Sequence, residues 1–298
     1  MVQVKRRITP GYVMVVLFVG LFAALCLYPF LMVISGSLTS RSAAVMHGFS
    51  LIPKEFTTDA YTVLFTNSAS IIKAYQVTVG VTVIGTALSL LINSMMAFVV
   101  SRPNLYGAKF LNIYVLITML FSGGIVPWYV ICTQYLKLTD TYAALVLPMA
   151  ASAWNVFLIR NYFRSMPHEL YESARVDGAS HFRIYRRIYV PLAKPIMATV
   201  LLFAALAYWN DWWHGLMLIN RAEMQPLQMM LRAVIANIQF LMAQSGTATP
   251  WMNEMMARLP SDGVRMALVV ITTGPIILVY PFVQRYFVKG IMVGSVKG

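Results

Sequence analysis

Six long apolar stretches divide this chain of 298 residues, at about 12–34, 77–100, 110–132, 141–159, 196–219 and 266–282. Each approaches or exceeds the roughly 20 apolar residues with which a helix crosses a bilayer, and a soluble fold has no use for six of them. Hydrophobic residues make up 59% of the chain and charged ones 11%, about half the charged share of ordinary soluble domains. The pattern predicts an all-α, polytopic membrane protein with six transmembrane helices. Asp211 is the one acid inside any of these stretches.

The basic residues set the expected orientation. With the N-terminus in the cytoplasm, the inner segments 1–11, 101–109, 160–195 and 283–298 carry fifteen of the 23 Lys and Arg residues but only three of the ten acids, Glu169, Glu172 and Asp177. So one-sided a charge marks topology and contact with anionic lipid, and argues against nucleic-acid binding. Both termini are expected inside. Lys5-Arg6-Arg7 resembles the start of a signal peptide, but the apolar run after it is too long, so a retained anchor is expected. The outer segments are 35–76 and 220–265. Within the second, Leu227, Leu231, Val234, Ile238 and Leu241 fall at helical spacing around Gln228, Arg232 and Gln239. That stripe reads as an amphipathic surface helix, not a seventh span.

Between the fourth and fifth stretches lies a polar segment, 160–195, with the run Met166-Pro-His-Glu-Leu-Tyr-Glu-Ser-Ala-Arg-Val-Asp-Gly-Ala-Ser180. Pro167 suits the first turn of a helix and Glu169 its positive dipole end. Asp177-Gly178 is a stop signal, Ser180 caps a second helix, and Pro191 is expected to end it near Tyr189. Two short helices joined at a glycine, with acids that lipid headgroups would repel, fit the groove of a soluble protein.

That segment resembles the cytoplasmic coupling motif of ATP-binding-cassette (ABC) importer permeases, whose pattern runs Pro-x-Glu-Leu-x-Glu-Ala-Ala-x-x-Asp-Gly-Ala and then Ile-x-Leu-Pro. This chain supplies Pro167, Glu169, Leu170, Glu172, Ala174, Asp177, Gly178, Ala179, Ile188 and Pro191, and departs at Ser173 and Val190. It is similar to the carbohydrate-uptake branch, in the subgroup for complex oligosaccharides and polysaccharide fragments. The resemblance implies a type I importer fold in a bacterial cytoplasmic membrane, with 1–11 as a cytoplasmic N-terminus and 12–298 as one permease domain. It implies ATPase coupling through Glu169, Glu172, Ser173, Ala174, Asp177, Gly178, Ala179 and Pro191. The implied partners are a second, related permease, two ATPase subunits that bind ATP and Mg²⁺, and an extracytoplasmic binding protein that delivers oligosaccharide. No cofactor is expected in this chain.

Sugars present apolar CH faces to aromatic rings and hydroxyls to polar side chains. Tyr208, Trp209, Asn210, Asp211 and Trp213 in the fifth stretch, and Asn155 beside Trp154 in the fourth, offer both chemistries. They are the candidate substrate path, although Trp212 and Trp213 equally suit an interfacial aromatic belt. Ser122-Gly123-Gly124 with Pro127 permits a broken helix or close backbone approach in the third stretch.

Other functions find little support. No Gly-x-x-x-x-Gly-Lys-Ser/Thr run exists to hold a nucleotide, so the chain is not expected to be an enzyme. His47, His168, His181 and His214 are scattered, Cys26 and Cys132 lie in apolar runs, and no catalytic, metal or disulfide framework is expected. A permease for another solute, a peptide or polyamine, stays open. So does an ion-coupled carrier, although such proteins place several ionisable groups in their spans.

Overall fold

The computed structural model describes residues 10–66, 68–102, 105–243 and 262–277. The cluster Lys5-Arg6-Arg7, the end of the sixth stretch from 278 onward and the C-terminal basic residues lie outside these. The backbone groups into two compact units, one drawn from 1–68 and 234–273, the other from 69–233 and 274–298. Among the described residues every regular element is helical, apart from an isolated bridge between Thr39 and Phe56.

In the first unit, α1 (Pro10–Ser37) is an uninterrupted apolar helix of 28 residues, long enough at about 1.5 Å per residue to cross a ~30 Å hydrocarbon core. Residues 10–31 are all exposed, the surface lipid is there to cover. After it, Ser40 caps α2 (Arg41–His47) by accepting the Ala43 N–H, and Ser40 and Ser42 both donate to the Glu55 carboxylate. Those two hydrogen bonds lower the Glu55 pKa. The loop then leads into α3 (Asp59–Thr66), tied back by a 2.8 Å hydrogen bond between the Tyr61 and Ser37 hydroxyls. Gly36 at the end of α1 faces the Met266 thioether, on a helix over residues 262–277, and a Cβ there would require that flexible side chain to shift.

The second unit opens with α4 (Ser68–Val100), 33 residues long. The next three expected spans are not continuous. The third is α5 (Ala108–Leu120) and α6 (Ile125–Val130), with α6 running into a π turn at Ile131–Tyr135; the halves meet at 109°. Gly124, at φ 86°, makes this break where the glycine pair allows one. The fourth is α7 (Tyr142–Val146), a 3₁₀ turn to Met149, then α8 (Ala153–Arg164), bent by 47°. Asn93 of α4 fills that bend: its Nδ2 donates to the Ala150 carbonyl (3.1 Å) and its Oδ1 accepts the Ser152 N–H (2.8 Å). Backbone groups freed by a broken helix thus find a partner inside the protein, as the membrane demands.

The polar segment holds α9 (Glu169–Val176), α10 (His181–Ile184), a π turn at Tyr185–Tyr189, and α11 (Val190–Leu192). Pro191 does not end the second helix as expected. The π turn shifts the hydrogen-bond register just ahead of a residue with no N–H to give, and the chain turns instead at Ala193, bending 86° into α12 (Lys194–Trp209). The fifth expected span, 196–219, is also interrupted: α12 stops at Trp209 and α13 (Trp213–Leu218) is separate. Last comes α14 (Leu227–Ala243), the expected amphipathic helix, whose residues from 234 on belong to the first unit. Two helices, α1 and α4, are therefore individually long and apolar enough to span, or up to five spans if each bent pair counts as one, among the described residues.

Two buried clusters hold this unit together. One joins the α4 end at Ala97 and Phe98 to Val156, Ile159 and Phe163 of α8 and to Ile184, Tyr185 and Tyr189. The other packs Val77 and Val81 of α4 against Leu145, Tyr208 and Leu218.

Candidate functional site

The α9–α10 turn is built by its own backbone. Asp177 caps α9, Gly178 takes φ 77°, the Gly178 N–H donates to the Arg175 carbonyl (3.0 Å), and the Ala179 N–H reaches back to Ala174 (2.9 Å). This is a Schellman stop, which needs a residue tolerant of left-handed φ at Gly178. Ser180 then caps α10 through the Arg183 N–H, and the Arg175 guanidinium donates to the Ala179 carbonyl (3.0 Å). The helix–glycine–helix geometry read from the sequence is the one the chain adopts.

The two faces of α9 differ. Tyr171, Ala174 and Ala179 pack against the cluster of Phe98, Phe163, Tyr185 and Tyr189. The opposite face presents Glu169, Leu170, Glu172, Ser173 and Asp177 with Val176, which is 87% exposed. An apolar knob ringed by carboxylates is poor surface for an anionic bilayer and good surface for a protein groove. Of the eight coupling residues expected from the sequence, Glu169, Glu172, Ser173 and Asp177 lie on this outward face. Ala174 and Ala179 face inward, Gly178 shapes the turn, and Pro191 stands apart on α11.

Behind α9 the sequence reading missed an anchor. Arg102, two residues past α4, places its guanidinium carbon 3.4 Å from the Tyr171 ring centre, 4.2 Å from Phe98 and 4.9 Å from Tyr189. Burial lowers its pKa, the nearby Tyr189 and Tyr171 opposing that shift. Phe98 itself packs edge-on against Tyr185 (5.4 Å) and Tyr189 (5.1 Å). One cation joins three elements at the C-terminal end of α4. Its signal was the helical spacing of Phe98 and Arg102, visible only once aromatic partners from a distant segment are known.

The candidate path residues do not form one site. Tyr208 is buried and its hydroxyl donates to the Val146 carbonyl (2.8 Å). Its ring fills the space left by Gly85, where a Cβ would lie 2.6 Å away. Trp209 is buried edge-on against Tyr75 and lines an apolar cavity with Val79 and Leu202. Asn155 is buried on α8. The polar pair sits in the helix break: Asn210 Nδ2 bonds back to the Leu206 carbonyl (2.8 Å) and its Oδ1 accepts from Gln228 (3.3 Å), while Asp211 accepts the His214 N–H (3.3 Å) and contacts its Nδ1 at 2.9 Å. Those bonds explain why the fifth span stops here: the two side chains satisfy the backbone better outside a helix than inside one. Trp213 stacks edge-on with Trp212, over which Arg232 lies at 4.7 Å.

The family described as binding-protein-dependent transport system inner membrane component matches residues 7–293. The chain belongs to this family. As a member it is a multi-pass inner-membrane component of a transport system, not an enzyme. It is 40% identical over 283 residues to Protein LplC of Bacillus subtilis (strain 168), covering 95% of this chain and 93% of the relative. It is 39% identical over 284 residues to the polygalacturonan/rhamnogalacturonan transport system permease protein YtcP of the same organism, covering 94% and 96%. Among solved structures, a chain of a bacterial ABC transporter involved in the import of the acidic polysaccharide alginate superposes with a TM-score of 0.81 at 28% identity, covering 95% of this chain and all of that one. The all-α permease fold expected from the sequence is the fold it shares with that importer.

Proposed function

We propose that this chain is the membrane-spanning permease subunit of an ATP-driven importer for oligosaccharides delivered by an extracytoplasmic binding protein. The observation that carries the reading is the outward face of α9: acids around an exposed apolar knob, on a turn fixed by Gly178 and fastened from behind by Arg102. The sugar class is supported by the relatives' names, polygalacturonan and alginate among them.

In this reading both termini and the 160–195 segment face the cytoplasm. Glu169, Glu172, Ser173 and Asp177 enter a groove on an ATPase subunit, while Ala174, Gly178, Ala179 and Pro191 hold the shape that fits it. Two such ATPases bind ATP and Mg²⁺, and a second, related permease completes the pathway. When the ATPases close, α9 and α10 move as a rigid lever, and the aromatic cluster around Phe98 passes that motion to α4, α8 and α12. Asn210, Asp211 and Trp213, at the break between α12 and α13, are the sugar-contacting residues, whereas Tyr208, Trp209 and Asn155 are packed inside the protein.

The test is purification and reconstitution. The complex is expected to carry a soluble ATPase and to import labelled galacturonan or alginate fragments only with ATP and binding protein. Uptake driven by a proton gradient without ATP, or a complex lacking any ATPase, ends the reading; the Asp211–His214 pair is where an ion-coupled carrier would then be sought. A cysteine at Ser180 should resist an impermeant thiol reagent in intact cells, and one at Ser42 should react.

A further inference from the structure

A cavity of about 790 Å³ lies along one face of α4, against the loops at Asp140 and Arg221. None of the expected path residues lines it. Its α4 wall is Lys73, Gln76, Val77, Gly80, Val81 and Ile84, a single helical stripe about three turns deep. Polar residues occupy the upper turn, and only apolar side chains and a glycine follow below.

The far wall is fixed. Asp140 takes φ 56°, its N–H donates to the Leu218 carbonyl (2.9 Å), and its carboxylate accepts the N–H groups of Asn220 (2.6 Å) and Arg221 (3.0 Å). Those bonds join two loops and commit the Asp140 charge. The rim then offers two cations, Lys73 and Arg221, a second acid, Glu223, the Gln76 amide, and the ring of Tyr142, which is 56% exposed. Planar hydrogen-bonding groups and a free aromatic face, without a dominant charge, suit a polyol better than an ion or a lipid tail. The volume falls in the ~300–1,000 Å³ range of small-molecule sites.

Gly80 shows what the throat is for. A Cβ at Gly80 would meet nothing within 4 Å, whereas one at Gly85 would strike the Tyr208 ring. Packing therefore requires glycine at 85 but not at 80, where its effect is to keep the cavity wide.

We infer that this cavity is an outer vestibule that receives the end of the oligosaccharide from the binding protein, with Tyr142, Gln76, Arg221 and Glu223 holding the sugar and Gly80 setting the bore. The inference rests on the importer reading above, with these loops on the outer side. The experiment is a size series at Gly80 in the assembled complex, scored with a length ladder of labelled galacturonan and alginate fragments. Gly80→Ala should keep uptake within about twofold of wild type. Gly80→Leu should slow long fragments more than disaccharides, and Gly80→Trp should lower uptake of all by at least about tenfold. Because Gly80→Trp could disturb assembly, Gly80→Cys in a Cys26→Ser, Cys132→Ser background is modified after assembly, from outside, with a bulky impermeant maleimide; uptake should fall as labelling proceeds. Normal uptake by Gly80→Trp, an unreactive Gly80→Cys, or a Gly80→Leu loss independent of fragment length overturns the vestibule while leaving the importer standing. Failure of the wild-type complex to import any fragment overturns both.

Discussion

The Arg102 guanidinium carbon lies 3.4 Å from the centre of the Tyr171 ring, and so joins the end of α4 to the inward face of α9. A desolvated cation–π contact is worth about 2 kcal/mol or more, and Arg on a ring face is not replaced by Lys. Arg102→Ala and Tyr171→Leu are expected to leave the complex assembled but to separate ATP hydrolysis from transport, with uptake per ATP falling roughly tenfold. Tyr171→Phe keeps the ring face and should behave much more like wild type. Equal uptake per ATP in Arg102→Ala and wild type would show that the lever is carried by the apolar cluster alone.

At Gly178 backbone conformation, not space, decides the outcome. A Cβ there meets nothing within 4 Å, yet φ is 77°, which a β-branched residue rarely adopts. Gly178→Val should insert in the membrane normally and fail to bind the ATPase, or fail to show stimulation of hydrolysis by loaded binding protein. Glu172→Lys reverses an exposed charge without touching the backbone and should give the same loss of association. Full stimulation and uptake in both variants would remove α9 as the docking element.

These two positions also show what a sequence of this kind makes legible. The Gly178 turn is local: Asp177, Gly178 and Ser180 are neighbours, so the stop and the next cap can be read directly. Apolar length and the one-sided charge are likewise summed along the chain. The ties across bends and loops are not local. Asn93 mends the α7–α8 bend from 57 residues away, and Asp140 secures the chain at Asn220 from 80 away. The fourth stretch therefore reads as an unbroken span, whereas the break in the third falls at Gly123-Gly124, which the sequence allows, and that in the fifth turns on the local bonds of Asn210 and Asp211. The same distance hides the vestibule, whose walls come from three separate parts of the sequence. Tyr208 was readable as a sugar-stacking ring by composition, and only its bond to Val146 and its fit over Gly85 reveal a packing role.

Asp140 gives the structure a pH dependence of known sign. Backbone hydrogen bonds from Asn220 and Arg221 hold its pKa below the ordinary carboxylate value. A depressed folded pKa contributes stability that is present above the unfolded pKa of ~3.9 and lost as pH falls through the folded value. The thermal stability of wild type should therefore exceed that of Asp140→Asn by a constant margin from about pH 5 to 8, and the margin should close in more acid solution. A margin unchanged at low pH would mean that the Asp140 carboxylate is not what fastens the Asn220–Arg221 loop.

Asn93 is the last of these long-range ties and the most buried. Its amide donates to the Ser89 carbonyl (2.7 Å) and the Ala150 carbonyl (3.1 Å), and accepts the Ser152 N–H (2.8 Å). Asn93→Leu keeps the volume and removes every one of those partners, leaving a carbonyl and an N–H unpaired at the α7–α8 bend. Buried unpaired groups cost about 1–3 kcal/mol each, and no water from the hydrocarbon core replaces the lost bonds. The variant should insert and lose thermal stability in detergent, with the loss centred on α7 and α8 in hydrogen exchange. Asn93→Asp, with one acceptor retained and its donors gone, should be no better. The hydrogen bonds of Asn93 go to Ser89, Ala150 and Ser152, not to α9 or its turn, so association with the ATPase should survive at low temperature. Loss of that association without any loss of stability would instead place Asn93 on the path between the coupling segment and the spans.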